Sequence, residues 1–164
     1  MDSSKLTRTV NILLVEDSAS DIRLIREALR DSKLAVYLNV AHDGAEAIHY
    51  LERCKAGVNS LPDIVLLDLN LPKKNGREVL GAIKQDSFLR RIPVIVMTSS
   101  NSDEDVAAVY RLNANCYIRK PFDLIDYEKV IRALEDFWFM TVMLPDGYNS
   151  GKTPVPESAP RVIQ

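Results

Sequence analysis

Residues 63–68 read Asp63-Ile64-Val65-Leu66-Leu67-Asp68: four aliphatic residues in a row, ending in an acid. The run Ile12-Leu13-Leu14-Val15 likewise ends in Glu16-Asp17. Val94-Ile95-Val96-Met97 ends in Thr98, and Cys116-Tyr117-Ile118-Arg119 ends in Lys120-Pro121. Three of these runs are continuously apolar rather than alternating, which predicts strands covered on both faces, as in a parallel sheet. Laid side by side, they bring three carboxylates, a hydroxyl and an ammonium to one edge.

Working outward, the predicted strands are 10–15, 36–41, 63–67, 93–97 and 115–119, and amphipathic segments separate them. Ser18 with Asp21 opens a helix with Ile22, Ile25 and Leu29 inward. Asp43 with Glu46 opens one carrying Ile48 and Leu51, and Ser102 with Asp105 one carrying Val106, Val109 and Tyr110. Asn75-Gly76 precedes a helix with Val79, Leu80 and Ile83 inward. Strict β/α alternation with right-handed crossovers predicts an α/β fold. Five units fit a flavodoxin-like, doubly wound, five-stranded parallel sheet of order 2-1-3-4-5, with its site at the carboxyl ends of the strands.

The last helix begins near Asp123, with Leu124, Tyr127, Val130, Ile131 and Leu134 as its inward stripe. It is predicted to extend, because Phe137-Trp138-Phe139-Met140 follows, with Val142, Met143 and Leu144 behind. Large apolar residues on all sides exceed what one sheet can bury. The expected organisation is a flexible N-terminus over 1–9, one domain over 10–144 and a flexible tail over 145–164, rich in Pro, Gly and Ser.

At 164 residues the chain suits one domain with a full core, and 46% hydrophobic with 27% charged residues is a soluble globular composition. A net charge of −2, with no Lys/Arg block, argues against a nucleic-acid surface. No apolar stretch approaches the roughly 20 residues of a membrane span, and the polar N-terminus shows no signal-peptide pattern. Cys54 and Cys116 lack metal-ligand spacing and are expected as reduced, largely buried thiols in a cytoplasmic protein.

The chemistry follows from the strand ends. Mg²⁺ takes hard oxygen ligands and keeps several waters, so Asp17 and Asp68, adjacent across the sheet, suffice with a carbonyl. Glu16 can ligate at longer reach or hold a metal-bound water. Asp68 is the candidate nucleophile, since carboxylates form acyl phosphates in phosphoryl transfer. Lys120 and Thr98 would contact the transferred oxygens, and a cis Lys120–Pro121 bond is one way to aim the lysine inward.

These residues match the receiver domain of two-component response regulators. The signatures are Leu14-Val15-Glu16-Asp17, Leu67-Asp68-Leu69-Asn70-Leu71-Pro72 with Gly76, Met97-Thr98-Ser99 and Tyr117-Ile118-Arg119-Lys120-Pro121-Phe122. The resemblance covers about residues 10–135. It implies that Asp68 is the phosphoacceptor and that Glu16, Asp17, Asp68 and the Asn70 carbonyl organise Mg²⁺. It also implies that Thr98 and Tyr117 are a switch pair and that Lys120 contacts the phosphate. Glu16 stands where many receivers have Asp, which bears on metal geometry alone.

Asp21-Ile22-Arg23-Leu24-Ile25, the stretch Leu69 to Leu80, Asn115-Cys116-Tyr117 and Glu135-Asp136-Phe137-Trp138 resemble the stand-alone response regulators of cyanobacterial and bacterial phytochromes. That subfamily implies a phytochrome histidine kinase as phosphodonor and a homodimer through the last helix, here Phe137, Trp138, Phe139 and Met140. No segment reads as a DNA-binding or catalytic unit, so output is expected through contact with a downstream protein. Two alternatives stay open: a phosphorylation-independent scaffold, and a hydrolase working through an aspartyl phosphate. The second is disfavoured because Asn70 stands where such hydrolases carry a general acid.

Overall fold

Ser18, Asp43, Asn75, Ser102 and Asp123 each stand one residue before a helix, and each side chain accepts the N–H three residues on. That contact satisfies a helix-end donor which would otherwise lack a partner. Only at Asn75 is the arrangement fully reciprocal, Glu78 returning to the Asn75 N–H.

A computed structural model describes residues 9–100, 102–141 and 161–162. The elements run β1 (Thr9–Val15), α1 (Ala19–Arg30), β2 (Ala35–Ala41), α2 (Gly44–Lys55), β3 (Ile64–Leu67), α3 (Gly76–Gln85), β4 (Val94–Thr98), α4 (Asp103–Arg111), β5 (Cys116–Arg119) and α5 (Leu124–Leu134). A 3₁₀ turn, Leu89–Arg91, leads into β4, and a π-helical segment, Glu135–Thr141, continues α5. The five strands pair in parallel in the order 2-1-3-4-5. This is the flavodoxin-like sheet expected, with strand bounds shifted by at most one residue. A two-residue strand, β6 (Arg161–Val162), pairs antiparallel outside β2. The rest of the predicted tail, and most of the predicted N-terminal segment, lie outside the described residues.

Alternation along the strands divides the core in two. Leu13, Val15, Val65, Leu67, Val94 and Val96 meet the inner faces of α2, α3 and α4. Ile12, Leu14, Ile64, Leu66, Ile95 and Met97 meet α1 and α5 on the opposite face. Burial on both faces explains why the runs are continuously apolar, and each fully buried aliphatic side chain contributes roughly 1.5–3 kcal/mol.

Two expectations need correction. Tyr110 was expected inside; it is 49% exposed, and Val109 alone is buried on this short helix. Cys116 is half-buried rather than enclosed, while Cys54 is buried, and both are free thiols. The last helix does extend, but as a π turn that folds part of the aromatic cluster back. Trp138 and Phe139 pack on the α1–α5 side of the core, leaving Phe137 and Met140 exposed. Val142, Met143 and Leu144 lie outside the described residues.

Candidate functional site

The carboxyl ends of β1, β3, β4 and β5 converge as the strand order requires, and backbone contacts fix each end. The Glu16 N–H donates to the Ala41 carbonyl at 3.0 Å and the Asp68 N–H to the Val15 carbonyl at 3.0 Å. The Lys120 N–H donates to the Thr98 carbonyl at 2.8 Å. Ladder bonding thus continues one residue past each strand and sets the first residue of each following loop.

Two glycines hold the loop after β3. A Cβ at Gly76 would collide with the Asp68 carbonyl and with Leu69 Cα, and one at Gly44 would collide with the Lys74 backbone and side chain. The start of α3 therefore presses on the loop from one side and the start of α2 from the other. Lys73 turns that loop at φ +63° and pairs with Asp43 at 3.0 Å.

Carboxylate oxygens of Glu16, Asp17 and Asp68 all lie within 4.8 Å of one another. Glu16 and Asp68 are buried and Asp17 is exposed, so the group opens to solvent on one side. Lys120 Nζ lies 2.8 Å from Glu16, 3.1 Å from Asp68 and 3.1 Å from Asp21. Asp68 also accepts the Asn70 N–H at 3.2 Å on its other oxygen. Thr98 is fully buried, its hydroxyl oxygen accepting the Ser100 N–H at 3.5 Å. Tyr117 is half-buried, and its hydroxyl donates to the Ser100 carbonyl at 2.5 Å.

Acids outnumber the single ammonium here, and the ionisation balance reflects it. Burial pushes the Glu16 carboxyl up to about 7; Asp68 adds to the rise, and Lys120 and the Ser18 N–H oppose it. Burial works against the charge of Lys120, but Glu16 and Asp68 outweigh it and hold the ammonium above its usual range. Crowded hard-oxygen donors, one side open to water and excess negative charge are what a divalent cation requires. The residues therefore fit Mg²⁺ or a similar ion.

All the expected strand-end residues, Glu16, Asp17, Asp68, Thr98 and Lys120, come together, with Asn70 and Tyr117 beside them. Among the described residues no peptide bond is cis, and Lys120–Pro121 is trans. The inward aim of Lys120 comes from three surrounding carboxylates instead. Asp21 stands in the sequence as a helix-start acid and the head of the subfamily-like stretch Asp21 to Ile25, and the structure adds its share in holding Lys120. Asp21 also accepts the hydroxyl of the fully buried Tyr127 at 2.9 Å. Burial would raise the Asp21 pKa, but the contacts from Lys120, Ser18 and Tyr127 hold it below the usual carboxylate range. An acid followed by aliphatic residues on a capped helix carries no signal of this reach across the fold.

A doubly wound sheet with acids following β1 and β3, a hydroxyl on the last residue of β4 and a lysine after β5 defines a class. The response regulator receiver domain family matches residues 12–132, and the chain belongs to that family of signalling proteins. It is 48% identical over 135 residues to the response regulator Rcp1 of Synechocystis, covering 82% of this chain and 92% of that protein. The Mn²⁺-bound structure of Rcp1 superimposes with a TM-score of 0.76 at 46% identity, covering 83% of this chain and 99% of that one. The phosphorylated cyanobacterial phytochrome response regulator RcpA superimposes with a TM-score of 0.79 at 45% identity, covering 84% and 99%. The chain is thus a receiver-domain response regulator related to those of phytochromes. Among the described residues no helix is long and apolar enough to cross a membrane.

Proposed function

We propose that this chain is a phosphorylation switch in which Asp68 takes a phosphoryl group from a histidine kinase. One Asp68 oxygen attacks phosphorus, the phosphorus–nitrogen bond of the phosphohistidine breaks, and the imidazole leaves. Water later cleaves the acyl phosphate. Glu16, Asp17, Asp68 and the Asn70 carbonyl would hold Mg²⁺, which when bound offsets the charge of the transferred oxygens. Lys120 would pass from its acidic neighbours to one phosphoryl oxygen, and the Thr98 hydroxyl would donate to another. Tyr117, already half-buried with its hydroxyl on Ser100, would be held inward as Thr98 moves, shifting a pre-existing equilibrium of surface conformations.

The observation that carries this reading is the cluster itself: three carboxylates within 4.8 Å, with Lys120 Nζ 3.1 Å from Asp68 and a buried threonine at the next strand end. Incubation with a small phosphodonor and Mg²⁺ should add one phosphoryl group to the wild type and none to Asp68→Asn. Equal labelling of both would sink the assignment. Asn70 in place of a second acid speaks against turnover of free phosphate esters, because an amide cannot act as a general acid.

A phytochrome kinase is the proposed donor, supported by the relatedness to RcpA, whose name places it with a cyanobacterial phytochrome. Phosphotransfer profiling against purified histidine kinases tests it, and transfer from every kinase except those of phytochrome type would reject it. The proposed partner for the exposed end of the last helix is a second copy of the chain. Phe137 and Met140 are more than half exposed, and the Phe137 ring meets Trp138 edge-on at 5.4 Å.

A further inference from the structure

Between α3 and α4 runs a chain of polar contacts that the phosphoryl chemistry above does not use. Arg77, the second residue of α3, pairs with Asp105 in the first turn of α4. Asp105 accepts the Ser100 hydroxyl. The other polar groups of Ser100 point to the switch pair: its N–H donates to the Thr98 hydroxyl oxygen and its carbonyl accepts from Tyr117. At the other end, Gly76 beside Arg77 lies against the Asp68 carbonyl with no room for a Cβ. Packing and hydrogen bonds therefore connect the Asp68 loop, through α3 and α4, to Thr98 and Tyr117.

We propose that Arg77 and Asp105 are positioning residues. Their ion pair tethers the β4–α4 loop to the start of α3 and pre-sets Ser100 in the arrangement that receives Tyr117. The inference rests on the reading of Thr98 and Tyr117 as the switch pair. An isolated exposed ion pair has little influence on stability, and Arg77 is 46% exposed. This pair bears on the loop instead: Arg77 holds the Asp105 carboxylate that accepts the Ser100 hydroxyl, so breaking the pair frees that carboxylate to leave Ser100. A receptive conformation that is less populated binds its ligand more weakly in proportion.

Beryllium trifluoride, a phosphoryl mimic, can be titrated with Mg²⁺ present and its bound form followed by fluorine NMR. Arg77→Ala should weaken binding roughly 3- to 10-fold, the range of couplings carried by such networks, and Arg77→Lys should restore most of it. In a Ser100→Ala background, where the link is already cut but the Ser100 backbone contacts remain, Arg77→Ala should have no further effect. Asp105→Asn provides a second entry to the same cycle should Arg77→Ala fold poorly. Unchanged affinity in Arg77→Ala overturns the tether, and an equal loss in both backgrounds overturns its route through Ser100. If the wild type fails to bind the mimic, the phosphoacceptor reading falls first and the tether with it.

Discussion

Asp17 is the exposed member of the acidic cluster, so its removal should leave the fold intact while altering metal binding. A ligand bound only by the native state stabilises it by mass action, about 1.4 kcal/mol at ten times its Kd. In thermal melts, Mg²⁺ at that excess should raise the wild-type Tm by roughly 3–6 °C. Asp17→Asn should lose most of the rise, and an undiminished rise would remove Asp17 from the ligand set. The place of Asp17 in the acidic cluster was legible in the sequence because Asp17 closes an apolar run. Asp21 was not: its contact with Lys120 depends on α1 and the β5–α5 turn meeting in space.

At the scale of elements, the junction of α5 with the π segment holds an anomaly. Glu135 is buried, and its Oε1 has no hydrogen-bond partner. Burial raises its pKa from the ordinary 4.5, Ser32 opposes the rise, Asp136 adds to it, and Arg132 and Lys33 oppose it. A carboxyl whose folded pKa is raised favours the native state at low pH, and this contribution is lost as pH rises through the folded pKa. Glu135→Gln keeps the bond to Ser32 without the charge. It should be more stable than wild type by about 1 kcal/mol at pH 8, with the gain vanishing below about pH 4. Melting curves across that range check it; a less stable variant at pH 8 would mean that Lys33 and Arg132 hold a favourable carboxylate. The sequence foretold that α5 would run on, since its inward stripe leads into consecutive aromatics. It gave no hint of the π turn, because that depends on where Trp138 and Phe139 find room on the α1–α5 face. Tyr110 misled for a related reason: helical spacing marked it as inward, but α4 buries only Val109.

For the whole molecule, strand order was the most legible property and the reach of the last helix the least. Continuous apolar runs alternating with capped amphipathic helices fit parallel strands between two helical layers, and their order brings four strand ends to one place. The helix end has no such constraint within one chain. If a second copy covers it, Phe137→Glu with Met140→Glu should halve the mass seen in sedimentation while the circular dichroism spectrum stays unchanged. The same mass for variant and wild type would dismiss this face as the contact. Those two positions test the interface more cleanly than Trp138, whose ring also packs on its own core.

Gly44 and Gly76, described above as close contacts, matter also for what they deny the chain. With α2 seated on Lys74 and α3 on the Asp68 carbonyl, the loop bearing the proposed nucleophile is packed from both sides. Ordering a catalytic group at the moment of reaction costs entropy, and on the proposed reading of Asp68 the packing of this loop meets part of that cost during folding. On the proposed reading of Asp68, rearrangement falls on the far side of the site, at Thr98 and Ser100, with the Asp68 side the fixed frame against which any signal is measured.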